Sequence, residues 1–539
     1  MDPHAMAPWV ENVWLYVAAP LVGLAAAVLT IRLRAPQLVQ VGAAFRALRS
    51  HDSKAEGTVH PATAIVLNSA AAYGGAAAVG AATAVSLGGA GAIAWVWLFG
   101  IVLAPFRVAE LVLSRTAPAG EAGAAKGTLT HRLLADASPA IRGLGFALLV
   151  LVPLAGFAFV GGVHGEAVSD AAGQLLEGAA LPLGLGVAGV AIAAAVMPVE
   201  KVGTTLGWVA AVALIALFGA GLFGFFGAPG RGFAAFGRAL TDAMDGASTS
   251  GAFSGALAGE IALAALLHIF PPLAAPGGVE GAWHSEAQAP TTKGYAGAGL
   301  IGPFLYVVMT TVIGFSLVAT NAFNTPVETT RPMDDVRFYR VGFESVSQRR
   351  EPDRLYTGVI RINDGETGVV EIHAGTERGM VRAPHFLDGG EPADIAIHVT
   401  DGVVDNLQRP GELDALVNQP LSDTAQIAVS GRMLPVGGAL LGASMQAAGG
   451  TLISRVALAA LLLLAALGAA AWGFGVRKTL EAKVDPAVAR WAGALPGLGM
   501  ALAATGSLAG FSALGSLVAG VLVAVVSLAL MAKSGDASR

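Results

Sequence analysis

The sequence predicts an α-helical polytopic membrane protein carrying a small soluble all-β insert. Three observations predict it. The chain is 55 % hydrophobic and only 13 % charged, with a mean hydropathy of +0.66, whereas soluble domains sit near a quarter charged. Apolar windows of membrane-spanning length, about 17–25 residues, recur from one end to the other. A single polar, β-branched stretch at 324–435 interrupts them.

The windows fall at 13–31, 60–85, 90–113, 140–163, 180–197, 204–226, 251–270, 296–320, 451–474, 487–507 and 510–531, which makes about 11 spans. The chain therefore divides into 1–323 (spans one to eight), 324–435 (the insert) and 436–539 (spans nine to eleven). The start, MDPHAMAPWVENVW, lacks a positive n-region, so the first window reads as a retained helix and not as a cleaved signal peptide.

Basic residues of the short loops set the orientation. Arg32, Arg34, Arg46, Arg49 and Lys54 follow the first span. Arg115, Lys126, Arg132 and Arg142 follow the third, and Arg477, Lys478, Lys483 and Arg490 precede the tenth. The loop after the fourth span is acidic, with Glu166, Asp170 and Glu177. This places the N-terminus and the 324–435 insert outside, and the C-terminus with Lys533 and Arg539 in the cytoplasm, in a plasma (inner) membrane. The lipid bilayer is then the chain's first partner.

In the insert, 336–342, 356–363, 368–374 and 395–400 read as strands. Asn363-Asp364-Gly365, Asp388-Gly389-Gly390 and Asp401-Gly402 punctuate them as turns. His373, Glu371 and Asp388 are scattered and form no ligand set of the kind a metal site needs. A lid, an interaction module or a docking surface is the expected role, with its partner unknown. The absence of cysteine excludes disulfides and thiolate chemistry, and a net charge of −5 without a polybasic block excludes nucleic acid. No nucleophile–base or metal-ligand pattern suggests an enzyme, and no cofactor is implied.

The stretch Tyr73 to Glu110 organises the rest. Gly74-Gly75 interrupt an apolar segment that would otherwise span the bilayer, and Gly88-Gly89 turn the chain into the next span. A broken helix inside a bilayer is tolerated where its bare backbone groups line a cavity, which is where many secondary transporters bind substrate. The plainer reading is close packing of two helices at small residues. Few charges lie in the spans. Arg107 and Glu110, three apart on one helix face, can pair, and they read as a pair snorkelling to the cytoplasmic interface. Glu260 lies deep in the seventh span without a local partner. His164 and Glu166 fall at the outer end of the fourth span and read as a solvated loop, or else as titrating groups.

The order of short motifs along the chain resembles that of the alanine or glycine:cation symporters, the sodium:alanine symporter family. Residues Gly74 to Val85, Gly88-Gly89-Ala90-Gly91-Ala92, Ala94-Trp95-Val96-Trp97 and Arg107-Val108-Ala109-Glu110 are similar to that family's glycine-rich broken helix and the span that follows it. Thr30-Ile31-Arg32-Leu33-Arg34 and Phe45-Arg46-Ala47-Leu48 look like its first cytoplasmic loop. Gly251-Ala252-Phe253-Ser254-Gly255-Ala256, Gly299-Leu300-Ile301-Gly302 before Thr310, and Trp472 extend the likeness.

The resemblance implies a leucine-transporter-like inverted repeat after a peripheral first helix, with a small neutral amino acid bound between breaks in the second and seventh spans. It implies secondary transport of an alanine- or glycine-like substrate coupled to a cation, with Na+ as the coupling ion. Gly74, Gly75, Ser254 and Gly255 would offer backbone groups, Phe253 and Trp472 would cap the pocket, and Thr310 would lie beside it. Several oxygens of the family pattern are gone: its threonine and asparagine fall on Gly75 and Ala77, its serine and threonine on Leu467 and Gly468, and its aspartate on Met309. This loss raises a proton as the alternative coupling ion, with His164, Glu166 or Glu260 as carriers. It also raises the alternative of a transport-dead scaffold that presents the outer β domain to a partner.

Overall fold

The computed structural model describes residues 9–10, 12–55, 57–72, 74–117, 127–176, 179–227, 229–244, 279–289, 291–333, 336–340, 355–367, 370–374, 381–408, 427–434, 437–505 and 511–538. Two compact units emerge: Met1–Asn321 with Val436–Arg539, and Ala322–Pro435.

The first unit is helical. A π-helical turn, Val13–Ala18, leads into α1 (Ala19–Arg32), followed by the short α2 (Pro36–Val39) and α3 (Val41–Ala47). Then come α4 (Pro61–Ala72), α5 (Gly75–Gly88) and α6 (Ala92–Arg115). After α7 (Leu129–Leu134) the chain forms α8 (Pro139–Ala155), a π-helical turn (Gly156–Val160) and α9 (Gly161–Leu175) without leaving the helical path. Next are α10 (Ala180–Val196), α11 (Val199–Gly227), α12 (Pro229–Thr241), α13 (Val279–Ser285), α14 (Thr292–Tyr295) and α15 (Ile301–Thr320). Beyond the second unit stand α16 (Gly437–Leu480), α17 (Pro486–Ala492), α18 (Leu495–Ala504) and α19 (Phe511–Ala537).

Proline opens several of these helices (Pro36, Pro61, Pro139 and Pro486). The first turn suits it, because its missing N–H is one the helix cannot use. Seven helices are long and apolar enough to cross a membrane. Two shorter apolar helices, Tyr16–Arg32 and Ala180–Val196, fall below that length. Seven is the count among the described residues and does not test the expected count of 11, since window 251–270 lies outside them.

Two expected boundaries change. The fourth span does not end at residue 163: Pro139–Leu175 is continuous over 37 residues. The ninth does not end at 474, because α16 runs on to Leu480, so Arg477 and Lys478 are helical rather than loop residues. The expected start at residue 451 coincides with a kink: α16 consists of two helices that meet where Gly449 (φ −145°) and Gly450 (φ 73°) leave helical geometry.

Helix α16 is the hub of this unit and packs on α4, α5, α9, α10, α11, α13 and α15. Small residues permit the close approach. A Cβ at Gly161 on α9 would lie 2.6 Å from the Gly499 backbone of α18, the contact that small residues allow between helices in lipid.

The second unit is built of short antiparallel strands: β1 (Val327–Pro332), β2 (Val336–Arg340), β3 (Gly358–Ile362), β4 (Val370–Ala374), β5 (Arg382–Asp388), β6 (Glu391–Pro392), β7 (Ile395–Thr400), β8 (Val403–Gln408) and β9 (Ile427–Met433). They form sheets of order β1-β9-β5-β6, β2-β4 and β3-β7-β8. Alternation decides which face is buried: Ile395, Ile397 and Val399 of β7 point inward. The rings of Phe338 and Phe386 stack at 6.3 Å inside this core. Asp401 (φ 48°) and Gly402 (φ 76°) turn β7 into β8, as a two-residue hairpin demands.

Candidate substrate and coupling site

Helix α4 ends at Ala72 and α5 starts at Gly75, with Gly74 between them at φ −45°, ψ 175°. Gly74 is thus extended and does not continue the helix. Its carbonyl accepts from the Ala77 N–H at 2.9 Å and begins α5. The amides of the first turn of α5 and the carbonyls of the last turn of α4 are left over, as at any pair of helix ends. The break therefore presents donors and acceptors side by side on apolar walls.

Helix α16 closes one side of the break with a single stripe. Leu461, Ala465, Gly468 and Trp472 recur at helical spacing and share a face. A Cβ at Gly75 would come within 2.9 Å of the Ala465 side chain and of the Leu461 carbonyl. Gly75 therefore packs directly on α16, as the close-packing reading expects. Gly74 meets a different neighbour. A Cβ there would lie 2.5 Å from Nε2 of His164, and a Cβ at Gly468 would overlap the same nitrogen. Only glycine at both places leaves room for the imidazole.

His164 is 5 % exposed. Its place corrects the reading of a solvated loop: it stands on α9, past the π-helical turn, inside the helical unit. Its Nδ1 lies 3.0 Å from the Val160 carbonyl. A carbonyl only accepts, so Nδ1 carries the proton and Nε2 presents its lone pair toward Gly74 and Gly468. Nε2 is buried and, among the described residues, has no hydrogen-bond partner. Glu166, two residues on, is exposed. Trp472 is buried one turn beyond Gly468, and Thr310 is buried on α15. The structure thus brings Gly74, Gly75, His164 and the Trp472 stripe together. Phe253, Ser254, Gly255 and Glu260 lie outside the described residues.

Two polar residues of α4 were not singled out from the sequence. Asn68 and Ser69 are 2 % exposed, just before the break. The Oδ1 of Asn68 and the Oγ of Ser69 have no partner among the described residues. Their signal was available: adjacent polar side chains in a half-helix that is otherwise apolar, where such residues mark function. The Asn68 amide N–H₂ donates to Nε2 of His284 at 3.1 Å. The Nδ1–H of His284 then donates to the Tyr295 hydroxyl at 3.1 Å, and that hydroxyl donates to the Pro61 carbonyl at 3.4 Å. The chain requires a neutral His284. Burial, reinforced by the Arg115 and Arg107 charges, holds its imidazole down at about 3.

Around α13 the charges are matched. Arg115 donates to the carbonyls of His284, Ala287 and Ala289 at 2.7, 3.0 and 3.2 Å. Lys478 pairs with Glu286 at 2.7 Å, and the Thr58 hydroxyl donates to the other Glu286 oxygen at 2.9 Å. Arg107 and Glu110 are 3 % and 0 % exposed. They do not snorkel: α13 covers them, with the Gly281 N–H donating to Glu110 at 3.4 Å.

The profile of the sodium:alanine symporter family matches residues 4–264, which hold the break, the span after it and the His164 helix. Residues 4–264, a little under half of the chain, are thus similar to the sodium:alanine symporter family. No curated protein matches the chain. The family is one of transporters and not of enzymes, and a small amino acid and a cation are what its members carry. The apolar helices of spanning length, together with this match, support a multi-pass membrane protein. The symporter segment contains the Gly74 to Val85 and Arg107 to Glu110 motifs, whereas Thr310 and Trp472 fall beyond it. Among the described residues no group of three or more His, Asp or Glu side chains is placed to hold a metal ion. At the break itself, the side chains of Ala77, Leu467 and Gly468 contribute no oxygen.

Proposed function

We propose that this chain is a secondary transporter of a small neutral amino acid, alanine or glycine, and that a proton taken up by His164 is its coupling ion. One observation carries the reading: the bare, buried Nε2 of His164 faces the helix break between Gly74 and Gly468. A hard cation such as Na+ prefers several oxygens, and here a nitrogen base stands where the family pattern expects oxygens. Imidazole is the side chain whose charge changes most readily near neutral pH.

In this reading the substrate carboxylate takes the free N–H groups of Gly75 and its neighbours, where the helix dipole favours negative charge. The ammonium takes the terminal carbonyls of α4 and the free oxygens of Asn68 and Ser69. Phe253, Ser254 and Gly255 would complete the site from the seventh span, Trp472 would cap it and Thr310 would flank it. A proton on Nε2 turns His164 from an acceptor into a donor and adds a charge beside the break, so occupancy by substrate and by proton are linked. Glu166 and Glu260 are secondary candidates for the same proton. The reading takes from the resemblance a leucine-transporter-like inverted repeat, and from the basic loops an inner-membrane orientation with the N-terminus and the 324–435 insert outside. The match to a transporter family favours transport over the scaffold alternative.

The test is uptake of labelled alanine and glycine into proteoliposomes under imposed proton or sodium gradients. Accumulation driven by the proton gradient and lost in His164→Gln is expected. Accumulation driven by sodium alone, unchanged in that variant, would replace the proton with Na+ as the coupling ion. No uptake and no binding of either amino acid would remove the transport reading.

A further inference from the structure

Two cavities lie one above the other along α6, away from the helix break. The first, of about 540 Å³, is bordered by Arg32, Arg34, Gln40, Thr292, Lys293 and Asp536, with Val108, Val112 and Thr116 of α6 as its wall. The second, of about 400 Å³, is bordered by Phe45, Ala104, Phe304 and Val307, with Gly100 and Ile101 on the same helix. Both are bordered by the α2–α3 segment, α6 and the stretch from α14 into α15, and the first also by the end of α1 with its following turn and by the end of α19. At 1.5 Å per residue, their walls on α6 are roughly 15 Å apart along the helix. One cavity is basic and the next is apolar.

The charge of the first cavity is not cancelled. Among the described residues Arg32, Arg34 and Lys293 make no ion pair. The acid that borders them, Asp536, is already held by Arg132 at 2.8 Å and by Lys533 at 3.1 Å. Arg34 (φ 58°) and Ala35 (φ 50°), two successive left-handed residues without a glycine, reverse the chain between α1 and α2. The Ala35 N–H fixes that reversal on the Thr30 carbonyl at 2.6 Å. Strained backbone of this kind persists only where its surroundings over-determine it. Beyond the turn, Leu38, Val39 and Phe45 are 72 %, 69 % and 59 % exposed, and Ile101 and Phe304 are 54 % and 60 % exposed. Such apolar exposure next to a cationic rim is the pattern of a segment lying in the membrane interface.

We propose that the paired cavities form a binding site for one anionic phospholipid. Its phosphate is held by Arg32, Arg34 and Lys293, and an acyl chain fills the cavity bordered by Phe45, Ile101, Ala104, Phe304 and Val307. A free phosphate would use the first cavity and leave the second unexplained. The lipid uses both, in the order in which a bilayer presents headgroup and chain. The inference stands apart from the transport reading, since no residue is shared with the helix break.

The experiment is native mass spectrometry of the full chain released from detergent micelles doped with equal phosphatidylglycerol and phosphatidylcholine. One retained phosphatidylglycerol per chain, in clear excess over phosphatidylcholine, is expected. Arg34→Gln and Lys293→Gln should each weaken that retention roughly fivefold, the contribution of one cation near an anionic lipid surface. Ile101→Trp, at a lipid-exposed position, keeps all three charges but fills the apolar cavity. It should also cost retention, and it keeps the test open if a charge variant fails to fold. Equal retention of the two lipids, or phosphatidylglycerol retention unchanged in all three variants, would overturn the proposal. Displacement of the lipid by millimolar inorganic phosphate would overturn it too and assign the basic cavity to a free anion.

Discussion

The helical unit has two polar regions, and they are built on opposite principles. Around α13, Arg115, Glu286, Lys478 and Glu481 neutralise one another or donate to carbonyls, and His284 links Asn68 to Tyr295. Around the helix break, Nε2 of His164, Oδ1 of Asn68 and Oγ of Ser69 are buried without a partner among the described residues. An unsatisfied buried polar atom costs about 1–3 kcal/mol. Buried atoms without a partner also occur in the first region, among them Arg115 Nε and Ser114 Oγ; what sets the break apart is that its three stand beside bare helix ends. In the proposed reading the first, matched region holds the helices together and the second, unmatched one receives ligand and proton.

The largest expected effect tests the unmatched region. In His164→Gln, proton-driven accumulation should fall to the background of protein-free vesicles. The thermal midpoint of the purified variant should stay near that of the parent, because the Nε2 bond being removed is not made within the protein. Uptake that persists at the parental level would make His164 a packing residue and erase the contrast.

The matched region should respond the other way. Glu286→Ala leaves Lys478 buried without its close partner, and breaking one side of a buried pair costs about 3–5 kcal/mol. Thermal denaturation in detergent should show a large loss, and the double variant with Lys478→Met should recover much of it. A loss as small as that of a surface pair, about 0–1 kcal/mol, would mean that water reaches the pair.

Asn68 stands in both regions and should show an intermediate effect. Asn68→Ala strips Nε2 of His284 of its donor, at a cost of about 1–3 kcal/mol, and it removes an oxygen from the break. Stability and substrate affinity should drop together, measured by denaturation and by alanine binding. Loss of stability alone would return Asn68 to the matched region.

Much of this architecture was legible before any coordinates. Gly74-Gly75 stand out because two helix breakers in succession inside an apolar run leave backbone groups bare. The turns at Asp364-Gly365 and Asp401-Gly402 stand out because left-handed positions demand such residues, and both pairs have positive φ. The burial of His164 was hidden by the hydropathy window itself. Polar residues begin at 164, so the window ends at 163, whereas the helix continues to Leu175. What keeps it helical is packing of small residues on α16 and α18, a tertiary fact that no local window contains. Arg107 and Glu110 were misread as snorkelling for the same reason. Their cover, α13, lies some 170 residues away in the chain.

The smallest effect separates two buried histidines by pH. His131 on α7 lies near Glu481 and Lys478 of the matched region. It is 5 % exposed, its Nδ1 lies 2.7 Å from the Thr128 hydroxyl, and its Nε2, far from the break, is buried without a partner among the described residues. Burial pushes it down to about 4, with Lys478 lowering it further and Glu481 raising it. In the unfolded chain it titrates near 6.5. Its contribution to stability is therefore complete above about pH 6.5 and is lost as the pH falls toward 4, because the unfolded state binds a proton that the folded state excludes. One unit below 6.5 the loss is about 1.4 kcal/mol. His284, held down at about 3, adds a loss of the same sign. His131→Gln should flatten the acid limb of the melting profile, in part, and leave the pH dependence of uptake untouched. His164→Gln should change the pH dependence of uptake. A His131 variant that shifts the uptake profile would mean that the matched region also carries the coupling proton, and the division between the two regions would fall.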